Sequence, residues 1–161
     1  MTLQSLIKKL KFDYITDIAT DKNFPDDGRR GTVELLNFDE ELTDQEVFAK
    51  IKEKGYRPAT IHELLIWAEK NWEKETVIAF GSIYTDADGG RRVLSVWRGG
   101  AERRLLWRWL YPSLRWCRVA LFAGVRELEL ETLESKNLGT LESRVSALEE
   151  QVSSIKKFLV F

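Results

Sequence analysis

The sequence predicts an α+β domain followed by a C-terminal parallel coiled-coil helix. Three features carry that reading: two helix starts marked by capping boxes, a run of short strand-like segments between glycine turns from Thr76 onward, and a heptad repeat near the C-terminus. Helices first and an antiparallel meander afterwards is an α+β order. The 161 residues suffice for one globular domain with an appendage but hardly for two full domains. Apolar residues at 43% and charged residues at 32% are the composition of a folded chain, not of a disordered one. The expected organisation is a globular domain over residues 1–126, an acidic connector over 127–137 and an oligomerisation helix over 138–161.

Along the chain, Leu3, Leu6, Ile7 and Leu10 stand at helical spacing, and Phe12, Tyr14 and Ile18 follow in a strand-like stretch. Asn23 to Gly31 is a turn-rich loop, after which Thr32 to Phe38 reads as a strand. Thr43 and Glu46 form a Thr-x-x-Glu capping box with Leu42 placed to staple onto Val47, so a helix is expected from Asp44 to Lys54, stopping at Gly55. Thr60 and Glu63 repeat the device, with Ala59 and Leu64 as the staple. That second helix should bury Ile61, Leu64, Leu65, Ala68 and Trp72. Strands are then expected over Thr76 to Tyr84, Arg92 to Trp97, Arg104 to Leu110 and Trp116 to Val125. Turns at Asp86 to Gly90 and at Gly99-Gly100 separate the first three.

Leu138, Leu141, Val145, Leu148, Val152, Ile155 and Leu159 alternate in steps of three and four, the seam of a parallel coiled coil. Arg144 and the following Glu149 occupy g and e positions that pair between chains. Arg144-Val145-Ser146-Ala147-Leu148-Glu149 matches the Arg-h-x-x-h-Glu signature of short trimeric coiled coils, whereas Val at a with Leu at d suits dimers. A homo-oligomer is therefore expected, with the trimer preferred over the dimer. A helix of about 33 Å is marginal alone in water, so the globular domains should contribute to the oligomer interface.

Charge is sharply segregated. Between Arg91 and Arg118 stand eight arginines and one acid, Glu102, a formal +7 in a chain whose total is −1. The same window holds Trp97, Trp107, Trp109, Trp116 and Tyr111, and Trp, Tyr and Arg dominate binding hot spots. Strand alternation places Leu106, Arg108 and Leu110 on one face and Leu105, Trp107 and Trp109 on the other. One face is expected to be core and the other a contact surface. Catalytic and metal chemistry find little footing, and no cofactor is expected. His62 is the only histidine, which excludes a multi-histidine metal site or a His-based triad within one chain. Asp86 and Asp88 lack the full calcium-loop register, so a β-turn is expected there. Cys117, the only cysteine, permits no intrachain disulfide and is expected to be packed. The N-terminus lacks the apolar core of a signal peptide, and no apolar run reaches membrane-spanning length. Synthesis in the cytoplasm without membrane insertion follows, with any surface or virion display requiring a non-classical route.

The segment Gly55-Tyr56-Arg57-Pro58-Ala59-Thr60-Ile61-His62-Glu63-Leu64-Leu65 resembles the Gly-x-Arg-Leu-Pro-Thr-x-x-Glu-Trp helix start of C-type lectin folds in formylglycine-generating enzymes and diversity-generating retroelement variable proteins. Arg118-Val119-Ala120-Leu121-Phe122 is similar to an Arg-Phe-Leu-Ala-Val closing strand of small proteins that share the helix start. Pro58-Ala59 stands where the pattern has Leu-Pro, and Leu64-Leu65 where many relatives have Glu-Trp. The lone cysteine lacks the paired thiols of the enzymatic branch. The resemblance covers residues 12–126 and implies a C-type lectin-like domain whose Ser95 to Trp116 region is diversified by an error-prone reverse transcriptase. It implies scaffold roles for Leu105, Trp107, Trp109 and Arg118. It implies ligand-facing, variable roles for Ser95, Trp97, Arg98, Arg104, Leu106, Arg108, Tyr111, Ser113, Arg115 and Trp116.

The function expected is non-enzymatic: display of an Arg/Trp-rich binding surface, multivalent on a trimer, toward a protein or cell-surface ligand. Two alternatives stay open, single-stranded nucleic-acid binding through arginines interleaved with tryptophans and a structural subunit that uses this surface for assembly.

Overall fold

Among the described residues, three helices begin where short side chains can satisfy their first free N–H groups. A computed structural model describes residues 1–72 and 76–127, and residues Met1–Arg126 form one unit. Helix α1, Leu3–Leu10, is capped by Thr2, whose hydroxyl accepts from Ser5 N at 3.2 Å. Helices α2, Asp44–Glu53, and α3, Ile61–Asn71, each carry a complete capping box, Thr43 with Glu46 and Thr60 with Glu63. The expected α3 residues Ile61, Leu64, Leu65, Ala68 and Trp72 are all buried, as are Ala59, Leu42 and Val47.

The strands in chain order are β1 Tyr14–Ile15, β2 Val33–Leu36, β3 Leu42–Thr43, β4 Tyr56–Pro58, β5 Val77–Thr85, β6 Arg91–Gly99, β7 Glu102–Leu110, β8 Arg115–Trp116 and β9 Leu121–Arg126. A mixed, mostly antiparallel seven-stranded sheet runs β1-β7-β6-β5-β9-β2, with β4 also paired to β9. A separate two-stranded ribbon joins β3 and β8. Strands β5, β6 and β7 form the expected meander. The single strand expected over Trp116 to Val125 is two. Strand β8 leaves the sheet for β3, and after a turn closed by Ala120 N on Cys117 O, β9 returns parallel to β5, in the sheet's interior. Residues 122–125 of β9 are buried in unbroken succession, as befits a strand covered on both faces.

That double cover also changes the expectation of one core face and one contact face. Alternate residues of β5 enter two separate cores: Val77 and Ala79 join α1 and α3, whereas Ile78 and Phe80 join Val47 and Ile51 of α2 and Trp116 of the ribbon. On β7, Leu105 enters the first core and Leu110 the second. Burial therefore follows position along the sheet as well as strand parity. Between the layers β4 wedges close to β5. Gly81 N donates to Ala59 O at 2.8 Å, and a Cβ at Gly81 would stand 2.5 Å from that same oxygen, so no larger residue fits without moving backbone.

No helix among the described residues is long and apolar enough to cross a membrane. The heptads of residues 138–161, with the seam Leu138, Leu141, Val145, Leu148, Val152, Ile155 and Leu159 and the pair Arg144 and Glu149, lie outside the described residues, as does most of the acidic connector.

Candidate functional site

The antiparallel register fixes which side chains of the arginine and tryptophan segment share a face. Ser95 stands opposite Leu106, Trp97 opposite Arg104, and Val93 opposite Arg108. These six therefore lie on the side of the second core. Leu94 opposite Trp107 and Arg98 opposite Arg103 lie on the other side.

Five of the eight arginines are engaged by their own chain. The Arg92 guanidinium lies over the rings of Trp107 and Trp109, at 4.6 and 4.3 Å from their centroids, and reaches Asp86 at 3.4 Å. Such stacking on aromatic faces suits the planar, weakly hydrated guanidinium. Asp86 also accepts from Asp88 N and Gly90 N, so its carboxylate holds the expected β-turn. Arg98 donates to Trp72 O at 2.6 Å and Arg103 to Leu10 O at 2.8 Å, tying β6 and β7 to the helices. Arg104 pairs with Glu102 and lies 5.1 Å from the Trp97 ring centroid, and Arg118 pairs with Asp39.

Arg91, Arg108 and Arg115 are different: among the described residues their guanidinium groups have no hydrogen bond or ion pair. Arg108 and Arg115 line a cavity of about 770 Å³ between the β5 and β7 part of the sheet and the segment that leads from β7 through β8 to β9. Its floor includes Ile78 and residues 107–109, and its wall includes Leu114, Trp116, Cys117, Val119 and Leu121. Val119 is 80% exposed and Leu114 38%, so apolar surface stands open beside two unpaired charges.

The wall is anchored rather than loose. Trp116 is buried, meets Phe80 edge to face at 5.1 Å, and donates its indole N–H to Asp44 Oδ1 at 2.7 Å. Burial pushes the Asp44 carboxyl above its ordinary value, against the opposing pull of the Trp116 hydrogen bond and the nearby Arg91 charge. Asp44 opens α2, so this one contact fixes the ribbon, and with it the cavity wall, to the start of a helix.

Measured against the sequence, the structure brings Arg108, Arg115 and Trp116 together at the cavity, with Tyr111 and Ser113 exposed on the adjoining loop. Trp97, Arg104 and Leu106 share the same sheet face, at least partly exposed. Three expected display residues do not present themselves that way. Ser95 is wholly buried because the second core extends over its row, Ile78-Ser95-Leu106. Trp116 is buried as an anchored wall. Arg98 points to the opposite face, held by the Trp72 carbonyl. Of the expected scaffold residues, Leu105 is wholly buried and Trp107 packs on the first core, but the Arg118 side chain is 65% exposed on the surface. Cys117 is exposed, not packed, because the turn after β8 carries it out of the sheet. The cavity residues that alternation could not reveal are Leu114, Cys117 and Val119, all in the connection read partly as strand.

His62 is buried at the start of α3, with no hydrogen-bond partner for Nε2 among the described residues, and burial holds its pKa below the ordinary value. Beside it, Glu63 takes two hydrogen bonds from Arg57 at 2.7 Å and one from Thr60 N at 3.0 Å. Among the described residues no three His, Cys, Asp or Glu side chains converge as a metal-ligand set. Comparison of the chain with models of protein families, with curated proteins and with solved structures finds no match.

Proposed function

We propose that this chain is a non-enzymatic ligand-binding protein, a variable protein of a diversity-generating retroelement with a C-type lectin-like domain and a C-terminal trimeric coiled coil. The observation that carries the reading is the cavity that Arg108 and Arg115 line with no hydrogen bond or ion pair of their own among the described residues, next to exposed Tyr111 and Ser113. Guanidinium groups that no carboxylate or carbonyl holds by a hydrogen bond, on a protein that engages most of its other arginines, are available to a ligand. The resemblance of residues 55–65 and 118–122 to the lectin-type helix start and closing strand supports the scaffold assignment. In that scheme Trp97, Arg104, Leu106, Arg108, Tyr111, Ser113 and Arg115 vary, while Ser95, Leu105 and Trp116 stay fixed by burial.

Sequencing the locus across isolates tests this directly. A nearby reverse transcriptase and a template copy are expected, with substitutions concentrated in the codons of those seven wholly or partly exposed residues and sparing the three buried ones. Changes scattered evenly over the chain, with no template copy, would overturn the proposal. The nucleic-acid alternative draws less support, since Trp107 and Trp109 already stack on Arg92 and five arginines are engaged internally. It requires oligonucleotide affinity that falls steeply with salt and a shallower slope in the Arg108→Ala, Arg115→Ala double variant.

A further inference from the structure

We infer that the cavity beside Arg108 and Arg115 binds an amphipathic organic anion, an apolar chain or ring that carries one carboxylate or phosphate. The inference deepens the ligand-binding reading above and rests on it. The volume of about 770 Å³ lies within the range of sites that enclose a small organic molecule. Ile78, Leu114, Trp116, Val119 and Leu121 offer apolar walls, and the exposure of Val119 and Leu114 leaves open apolar surface that a bound apolar body would cover.

Charge selects the head group. Among the described residues that line the cavity, Arg108 and Arg115 are the charged ones and none is acidic. The acids nearby are held by other groups: Asp44 is buried against the Trp116 indole, and Glu46, which feels the Arg115 charge, closes the capping box of α2. Guanidinium groups bind carboxylate and phosphate through paired, charge-assisted hydrogen bonds, so an anionic head near the two arginines with the apolar body among the walls satisfies both halves of the site.

Cys117 supplies the reporter. It lines the cavity, it is exposed, and it is the only cysteine in the chain. The full chain is titrated by calorimetry with dodecanoate, dodecyl phosphate, dodecanol and dodecyltrimethylammonium, each below its micellar concentration, and Cys117 alkylation by iodoacetamide is timed in parallel. Binding of dodecanoate or dodecyl phosphate is expected, and the stronger of the two identifies the head group. At ligand near ten times Kd, alkylation should slow about tenfold by mass action.

Arg108→Ala and Arg115→Ala should each weaken binding about tenfold, the usual loss of a hydrogen bond to a charged group. Arg118→Ala, whose side chain is exposed and paired with Asp39, should leave binding unchanged. Val119→Glu adds an acid at an 80% exposed position, where folding tolerates it, and should abolish anion binding. Equal binding of the cationic amphiphile, no binding of either anion, or binding confined to acidic peptides would overturn this ligand assignment. In each of those cases the display reading still stands or falls on the locus survey.

Discussion

At Glu63 the chain buries a carboxylate completely, and the surroundings make that tolerable only while it is ionised. Burial pushes its pKa up, but the two Arg57 hydrogen bonds, the Thr60 N–H and the Arg57 charge together leave it below the ordinary value of 4.5. A depressed carboxyl pKa contributes stability that is present above the unfolded value and lost as pH falls through the folded one. His62, held neutral by burial, works in the same direction from higher pH: its contribution is present above the ordinary 6.5 and lost as pH falls below it. Acid unfolding followed by circular dichroism should therefore begin to erode stability below pH 6.5 and steepen below 4.5. Glu63→Gln should cost about 3 kcal/mol at neutral pH, because it removes the carboxylate charge and one of the two oxygens that face the mostly buried Arg57 guanidinium, and should remove the steeper acid limb. An unchanged acid limb in that variant would show that other carboxylates control it.

Among elements, the helices were legible in the sequence and the strand order was not. A capping box is written within four residues, so Thr43 with Glu46 and Thr60 with Glu63 could be read directly and are present as hydrogen bonds. Strands β1, β3 and β8 have two residues each and carry no periodicity, and the parallel return of β9 beside β5 depends on residues more than forty positions apart. The same distinction runs through the site. Composition singled out the arginine and tryptophan segment and the resemblance named Arg108 and Arg115 within it, but Ser95, given a display role by the same resemblance, could not be recognised as buried, because its cover belongs to a second core assembled from distant elements. Capping offers a quantitative check on the local half of this account. Thr60 is 2% exposed and Thr43 is half-buried, so Thr60→Ala should cost between about 1 and 2 kcal/mol and Thr43→Ala about 1 kcal/mol or less. Denaturant midpoints with unchanged slopes would measure both; a larger loss at Thr43 would mean that helix burial does not set the value of the cap.

For the whole molecule, the proposed coiled coil over the heptads from Leu138 to Leu159 would determine how many binding faces act together. If the chain trimerises as proposed, three cavities share one stalk, and a target with repeated ligands meets an effective local concentration instead of three independent sites. The Arg144 and Glu149 pair lies in the segment that matches the trimer signature, so its removal should weaken assembly without touching residues 1–126. Light scattering of the full chain should give three times the 18.7 kDa chain mass, and deletion of residues 138–161 should give monomers. Binding to a surface that carries many copies of the ligand should then fall by about a hundredfold or more, while affinity for a single soluble ligand stays the same. A dimeric mass would assign the seam to its Val-at-a, Leu-at-d preference. An oligomer that survives the deletion would move the assembly contact into the globular domain and make the exposed face of β6 and β7 an interface between copies.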